Sequence, residues 1–344
     1  MPSKGSVALI SCTTDAWCGW GTFTCEISQR LAREYDATLH LLQRSAPRIA
    51  INGAQLLHCL TDWPSCVLSA GALAQRARIP LVISTHGTYA VTPLAGWMHG
   101  WRLRRTYRGA AHLTAPSRFT ADRLRARIGT EVPLTVVSNG VAVERFAQTP
   151  DLSDLRARYG PGPILLTVGA LKPRKGQDVV LRAFAQLKHE FPRAVYLLVG
   201  EDQWGGRLQR LAAAWRIPDV HCLGVVRHEE VVRYYHLCDA FALTPRMVDG
   251  AFEGFGIVYL EAGAAAKPVI GTRSGGVPEA VRDGETGLLV PEDGLEALVN
   301  ALRRVLGDRA FAHQLGSAGF RHAQAHSWDH YVTQLTHLYE EVLA

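Results

Sequence analysis

Two glutamates, Glu253 and Glu261, stand eight positions apart in the stretch EGFGIVYLEAGAAAKPVIGTRSGGVPE. Glycines at 254 and 256 permit a loop backbone, and the apolar, alanine-rich residues after them predict a helix over Gly256–Ala266. A helix start presents free N–H groups and a positive dipole end, which suit a phosphate. At a rise of about 1.5 Å per residue, eight helical positions span about 12 Å, comparable to the reach between the sugar and the ribose of a sugar nucleotide. One acid can then hold hydroxyls at each end while the amides between them face the diphosphate. An isolated pair at this spacing also reads as a solvated helix face. The flanking glycines and the downstream Gly275-Gly276-Val277-Pro278-Glu279 argue against that here.

Three further groups follow predicted strands. His86 comes directly after one in IPLVISTHGTY, where an imidazole can donate to a hydroxyl and tolerate positive charge developing nearby. Lys172, Arg174 and Lys175 follow another in TVGALKPRKGQD, placed to neutralise the charge that grows on a diphosphate leaving group. Gly19 and Gly21 open the first helix in Asp15-Ala-Trp-Cys-Gly-Trp-Gly-Thr-Phe, a G-x-G that lacks the third glycine of a dinucleotide fingerprint. A purely structural tight turn is the competing reading.

The elements that must position these groups alternate regularly. Apolar runs Ser6–Ser11, Leu39–Leu42, Gln55–Cys59, Leu81–Thr85 and Leu134–Ser138 read as strands, with helices predicted at Gly21–Tyr35 and Ser69–Ala77. A second series starts at Ile164–Gly169 and continues with strands Val195–Gly200, Val220–Leu223, Ala240–Thr244 and Val269–Gly271, helices lying between them. Such alternation predicts an α/β protein of two Rossmann-like, doubly wound parallel-sheet domains. The Pro/Gly-rich stretch around Asp151–Pro163 marks a division into 1–150 and 151–326, and Tyr331–Leu343 reads as a final helix after the last strand. Parallel sheets bind ligands at the carboxyl ends of their strands, so two facing domains would leave a cleft with donor on one side and acceptor on the other.

EGFGIVYLE followed by KPVIGTRSGGVPEAVRDGETGLLV resembles the donor-site signature of retaining glycosyltransferases of family 4, which have the GT-B fold. The resemblance implies transfer of a hexose-type sugar from a nucleotide diphosphate sugar, as co-substrate and without another cofactor, to an acceptor hydroxyl of a glycan or lipid-linked molecule. It assigns Glu261 to the ribose, Glu253 to the donor sugar, and the amides of Gly254, Phe255 and Gly256 to sugar and phosphate. Lys175 with Arg174 would neutralise the diphosphate, His86 would sit by the anomeric carbon, and Gly19 and Gly21 would put amides near the donor. Residues 327–344, opening on Ser327-Trp328, are similar to the family's last helix, which returns to the first domain. Two positions depart from the pattern: Ala170 stands where relatives usually carry arginine, and Ala266 where they carry glycine, a change conservative in size. No carboxylate is obviously placed as a covalent nucleophile, so same-face substitution is the expected route to retention. A sugar-nucleotide epimerase, a phosphorylase, or a non-catalytic sugar-nucleotide binder are the competing classes. A nicotinamide oxidoreductase is more distant, because its fingerprint is incomplete.

Composition narrows the setting. At 344 residues, 47% hydrophobic and 20% charged, the chain has globular composition without a disorder signature. The net charge of +6 is uneven: residues 1–150 carry 16 Arg/Lys against 8 Asp/Glu, and eight arginines between Arg102 and Arg127 meet only Asp122. That block reads as a solvated helical face or as a surface for an anionic partner, whether a membrane leaflet, a lipid diphosphate or an acidic glycan; no recognition motif points to nucleic acid. Seven cysteines without a C-x-x-C pair, and no evident signal peptide, predict reduced thiols in a cytoplasmic protein, and the Arg102–Arg127 region would allow peripheral contact at the inner membrane face. A zinc site from Cys12, Cys18 and Cys25 lacks the usual spacing, and no D-x-D occurs, so metal-independent neutralisation of the diphosphate is expected.

Overall fold

The computed structural model describes residues 4–15, 18–42, 49, 51 and 53–344. The chain divides into two compact units, Met1–Gly140 with Trp328–Ala344, and Val141–Ser327. The junction lies at Gly140, earlier than the 150/151 division read from the Pro/Gly-rich stretch. The residues between belong to the second unit: Val141 N–H donates to the His326 carbonyl at 2.8 Å, and Phe146 and Leu155 are buried in that unit's core.

In the first unit the described strands are β1 (Ser6–Ser11), β2 (Asp36–Leu41), β3 (Leu56–Cys59), β4 (Leu81–Ser84), β5 (His112–Ala115) and β6 (Leu134–Val136). They pair in parallel in the order β2-β1-β3-β4-β5-β6. β3 and β4 are buried at every position, as strands covered on both faces must be, so they read as unbroken apolar runs; the edge strand β2 is not. The arginine-rich stretch resolves into two helices, Met98–Arg108 and Arg118–Ile128, flanking β5. Leu103, Tyr107 and Leu124 face the core while Arg102, Arg105, Arg123 and Arg127 stay exposed.

The final helix, Trp328–Leu343, belongs to this unit. Tyr339 places its hydroxyl 2.5 Å from His58 Nδ1 inside the sheet's cover, Trp328 and Tyr331 meet the Phe23 ring edge-on, and Arg30 Nε donates to Asp329 at 3.0 Å.

The second unit contains β7 (Ile164–Val168), β8 (Val195–Val199), β9 (Val220–Gly224), β10 (Ala240–Ala242), β11 (Val269–Thr272) and β12 (Gly287–Val290), again parallel, in the order β12-β11-β10-β7-β8-β9. Both sheets are therefore doubly wound. The chain leaves β1 toward one edge and returns on its other side as β3; it leaves β7 toward β9 and returns as β10. Each reversal opens a crevice beyond the carboxyl ends of the strands, where sheets of this kind bind ligands.

Candidate active site

The second unit's reversal point gathers the sequence-predicted cations and one acid. The turn after β7 runs through a short 3-10 helix, Pro173–Lys175, and Gly176 then enters the Gln177–Leu187 helix with φ +69°. A Cβ at Gly176 would lie 1.9 Å from the Thr244 carbonyl oxygen, so this turn presses on the loop after β10. That loop carries Glu253, whose Oε2 accepts from Lys175 Nζ at 2.6 Å and from Arg174 Nη1 at 2.9 Å. All three side chains are largely shielded from solvent, at 12%, 12% and 18% exposure.

The electrostatics follow from that packing. Burial alone would raise the Glu253 carboxyl, but the charges and hydrogen bonds of Lys175 and Arg174 outweigh it and hold it at about 2. Burial pushes the Lys175 ammonium down, against the pull of Glu253. Lys172 is brought down to about 8, first by burial and then by the positive charge of Arg174 and Lys175. One anion thus anchors a cationic cluster that remains net positive.

The expected loop-to-helix passage is shorter than eight helical positions. The helix is Ile257–Ala264, Glu253 precedes it in the loop, and Gly256 caps it with φ +93°. Within the Glu253–Glu261 interval only residues 257–261 are helical, so the 12 Å helical spacing does not apply. Gly256 has no side chain to cap with and no acid stands in the first turn, which leaves a positive helix end. Phe255 sends its ring into the core, at 1% exposure, and Gly254 is buried beside it. Gly275 (φ +56°) and Gly276 lock this loop, with Gly276 N–H donating to the Glu253 carbonyl at 2.9 Å. Glu261 is half-buried on the helix, its Oε2 accepting from the Tyr235 hydroxyl at 2.6 Å. The structure therefore brings Glu253, Arg174 and Lys175 onto one oxygen atom and places Glu261 with a different partner.

Ala266 follows the helix's C-cap residue, Ala265, with φ +56°. Its departure from glycine is thus conformational rather than a matter of size, because left-handed backbone strains any Cβ.

The first unit's reversal point holds the other predicted residues. Gly21 lies in the Gly19–Leu31 helix, and a Cβ there would fall 1.8 Å from the Asp15 carbonyl oxygen; at Gly19 a Cβ would meet nothing within 4 Å. Gly21 is required by close approach of its own loop, whereas Gly19 is not. Ala16 and Trp17 of this loop lie outside the described residues. His86, just past β4, donates its backbone N–H to Asp62 Oδ2 at 2.7 Å. Its ring packs edge-on against Phe23 with centroids 4.6 Å apart, and Nε2 sits 2.8 Å from the Leu60 carbonyl. A carbonyl only accepts, so Nε2 carries the proton and the neutral ring offers Nδ1 as an acceptor. In that tautomer Nδ1 meets a hydroxyl as an acceptor, whereas an imidazolium would donate from it as the sequence reading expects.

Asp62, which sequence reasoning missed, links these parts. It follows β3, is buried, and accepts from the Trp20 indole N–H at 2.9 Å through Oδ1 as well as from His86. Burial pushes its carboxyl up against the pull of His86 and the donated N–H groups. Among the described residues, no group of three or more His, Cys, Asp or Glu side chains is arranged to hold a metal ion.

Family models agree with this architecture. Residues 152–322 match "Glycosyl transferases group 1" and residues 21–145 match "Glycosyltransferase Family 4". The chain is 36% identical over 277 residues to the GDP-mannose-dependent alpha-(1-6)-phosphatidylinositol monomannoside mannosyltransferase of Mycolicibacterium smegmatis, covering 75% of this chain and 69% of the relative. This chain belongs to glycosyltransferase family 4.

A Streptomyces bingchenggensis D-inositol 3-phosphate glycosyltransferase is 33% identical over 293 residues, covering 78% of this chain and 63% of the relative. Among solved structures, the Anabaena HepE complex with UDP and glucose superposes with a TM-score of 0.82 at 19% identity, covering 98% of this chain and 99% of that one. Sucrose-phosphate synthase from Thermosynechococcus elongatus gives 0.81 at 22%, with coverage of 98% and 99%. The fold of this family 4 glycosyltransferase is thus GT-B. Asp62 left one trace in the sequence, its position just after an apolar strand run, but nothing there signalled the indole and amide donors that converge on it.

Proposed function

We propose that this family 4 enzyme transfers mannose, with retention of anomeric configuration and without a metal, from GDP-mannose to a hydroxyl of an inositol-containing glycolipid. The observation that carries the reading is the Glu253–Lys175–Arg174 cluster at the reversal point of the second sheet, beside an uncapped helix start. Such a site favours a diphosphate leaving group, because fixed cations and amide dipoles stabilise charge that grows during departure. The GDP-mannose dependence and phosphatidylinositol monomannoside acceptor of the Mycolicibacterium smegmatis relative support the donor and acceptor classes. In this reading Glu253 positions Lys175 and Arg174 and reads the sugar, Glu261 reads the ribose, and His86 sits beside the anomeric carbon. The leaving phosphate accepts the acceptor's proton on the same face.

A lipid acceptor requires access to a bilayer. No helix among the described residues is long and apolar enough to cross one. Trp97, Met98 and Trp101 are exposed at 89%, 74% and 56% and stand on or beside the helix that presents Arg102 and Arg105. Aromatic and thioether side chains next to guanidinium groups fit the interface of an anionic leaflet, which supports peripheral contact of the enzyme with a membrane.

The test is a thermal-shift series with GDP-mannose, GDP and UDP-glucose, repeated on Glu261→Ala. GDP-mannose should raise the unfolding temperature of the parent and lose most of that shift in the variant. NMR of the product should show the donor's anomeric configuration. A product of opposite configuration overturns retention, and a shift by UDP-glucose alone overturns the donor.

A further inference from the structure

Three aromatic side chains crowd the reversal point of the first sheet without contributing to its core. Trp20 lies on the first helix, Trp63 follows Asp62, and Tyr89 stands three residues after His86. Their ring centroids are 4.8 Å (Trp20–Tyr89), 5.2 Å (Trp63–Tyr89) and 5.7 Å (Trp20–Trp63) apart. Trp63 remains 42% exposed and Tyr89 40%. Large rings left half in solvent at the binding edge of a sheet forgo the burial that usually justifies them. Trp20 is held in place by its indole N–H bond to buried Asp62, and the same carboxylate holds the His86 backbone. Trp20 is therefore fixed within the cluster and coupled through Asp62 to a predicted site residue.

We infer that Trp20, Trp63 and Tyr89 form the seat for a six-membered polyol ring of the acceptor, a pyranose or a cyclitol. Such a ring has an apolar C–H face that packs on an aromatic surface and a rim of hydroxyls. His86 Nδ1, left as an acceptor by the Nε2 bond to Leu60, can receive one of those hydroxyls. The inference rests on the reading of the chain as a transferase to a ring-bearing acceptor; it adds the residues of the first unit that recognise that ring.

Saturation-transfer NMR with methyl α-mannopyranoside and with myo-inositol, in the presence of GDP, tests it. At least one probe should receive saturation through its ring protons, and the stronger of the two identifies the ring type. Trp63→Ala and Tyr89→Ala should each weaken binding of that probe about five- to tenfold, the worth of one aromatic contact. The GDP-induced thermal shift, which reports the second unit, should be retained in both variants. No saturation of either probe, or binding unchanged in both variants, overturns the seat. Loss of the GDP shift in the parent enzyme would instead count against the donor reading, while the ring measurement stands by itself.

Discussion

At the scale of single residues, the decisive feature is one carboxylate oxygen shared by two cations. Removing the Glu253 charge leaves Lys175 and Arg174 largely buried without their counter-charge, Arg174 keeping only its bond to the Phe252 carbonyl, which costs about 3–5 kcal/mol. Glu253→Gln should therefore lower the unfolding temperature and reduce kcat by at least about 100-fold, the scale at which charge-stabilising groups act. Because the folded carboxyl titrates at about 2 against an ordinary 4.5, its contribution is complete above pH 5 and is lost as pH falls toward 2. Burial of Lys175 offsets part of that gain. Lys172 acts in the other direction. Its ammonium loses its proton near pH 8, so GDP affinity should weaken as pH rises through that value. Isothermal titration between pH 7 and 9.5 checks this, and Lys172→Arg, which keeps its charge throughout, should abolish the dependence.

At the scale of elements, backbone conformation decides which small residues matter. Gly176→Ala combines a left-handed φ with a Cβ pressed on the Thr244 carbonyl, and Gly21→Ala drives a methyl into the Asp15 backbone. Each should destabilise the protein by about 1–3 kcal/mol and reduce activity, measured by denaturant unfolding alongside turnover. Gly19→Ala meets open space and should leave stability unchanged within about 0.5 kcal/mol. A fall in donor affinity in that variant would then report a contact with ligand rather than with protein. Ala266→Gly should stabilise the fold by about 1 kcal/mol by relieving left-handed strain at the end of the Ile257–Ala264 helix.

At the scale of the whole molecule, the last helix completes the first unit although it lies at the far end of the sequence. His58 is enclosed between the Tyr339 hydroxyl and the Ser84 hydroxyl, and burial drives its imidazole down to about 3. The unfolded chain takes up that proton near pH 6.5, so this site opposes folding increasingly from pH 6.5 down to about 3. Tyr339→Phe leaves one buried ring nitrogen without its partner and should cost about 1–3 kcal/mol. Ending the chain at Ser327 should prevent the first unit from folding, visible as loss of its cooperative unfolding transition.

Much of this architecture was legible in one dimension. Strands such as Ser6–Ser11 and Val195–Val199 are buried on both faces, so they appear as apolar runs bounded by turns, and their alternation with helices implies parallel pairing. The loop glycines and the Lys175 and Glu253 segments were legible because backbone constraint and charge leave local marks. The unit boundary was not, because Val141 is claimed by a hydrogen bond to His326, far along the chain. Nor was the convergence of Lys175 and Arg174 on Glu253, the tautomer of His86, or the role of Asp62. The amino-acid order by itself determined the elements, the family and the chemical kinds of residue at each strand end. Only the tertiary structure decided which of them meet, because pairing, burial and proton placement depend on neighbours that the chain brings together from distant positions.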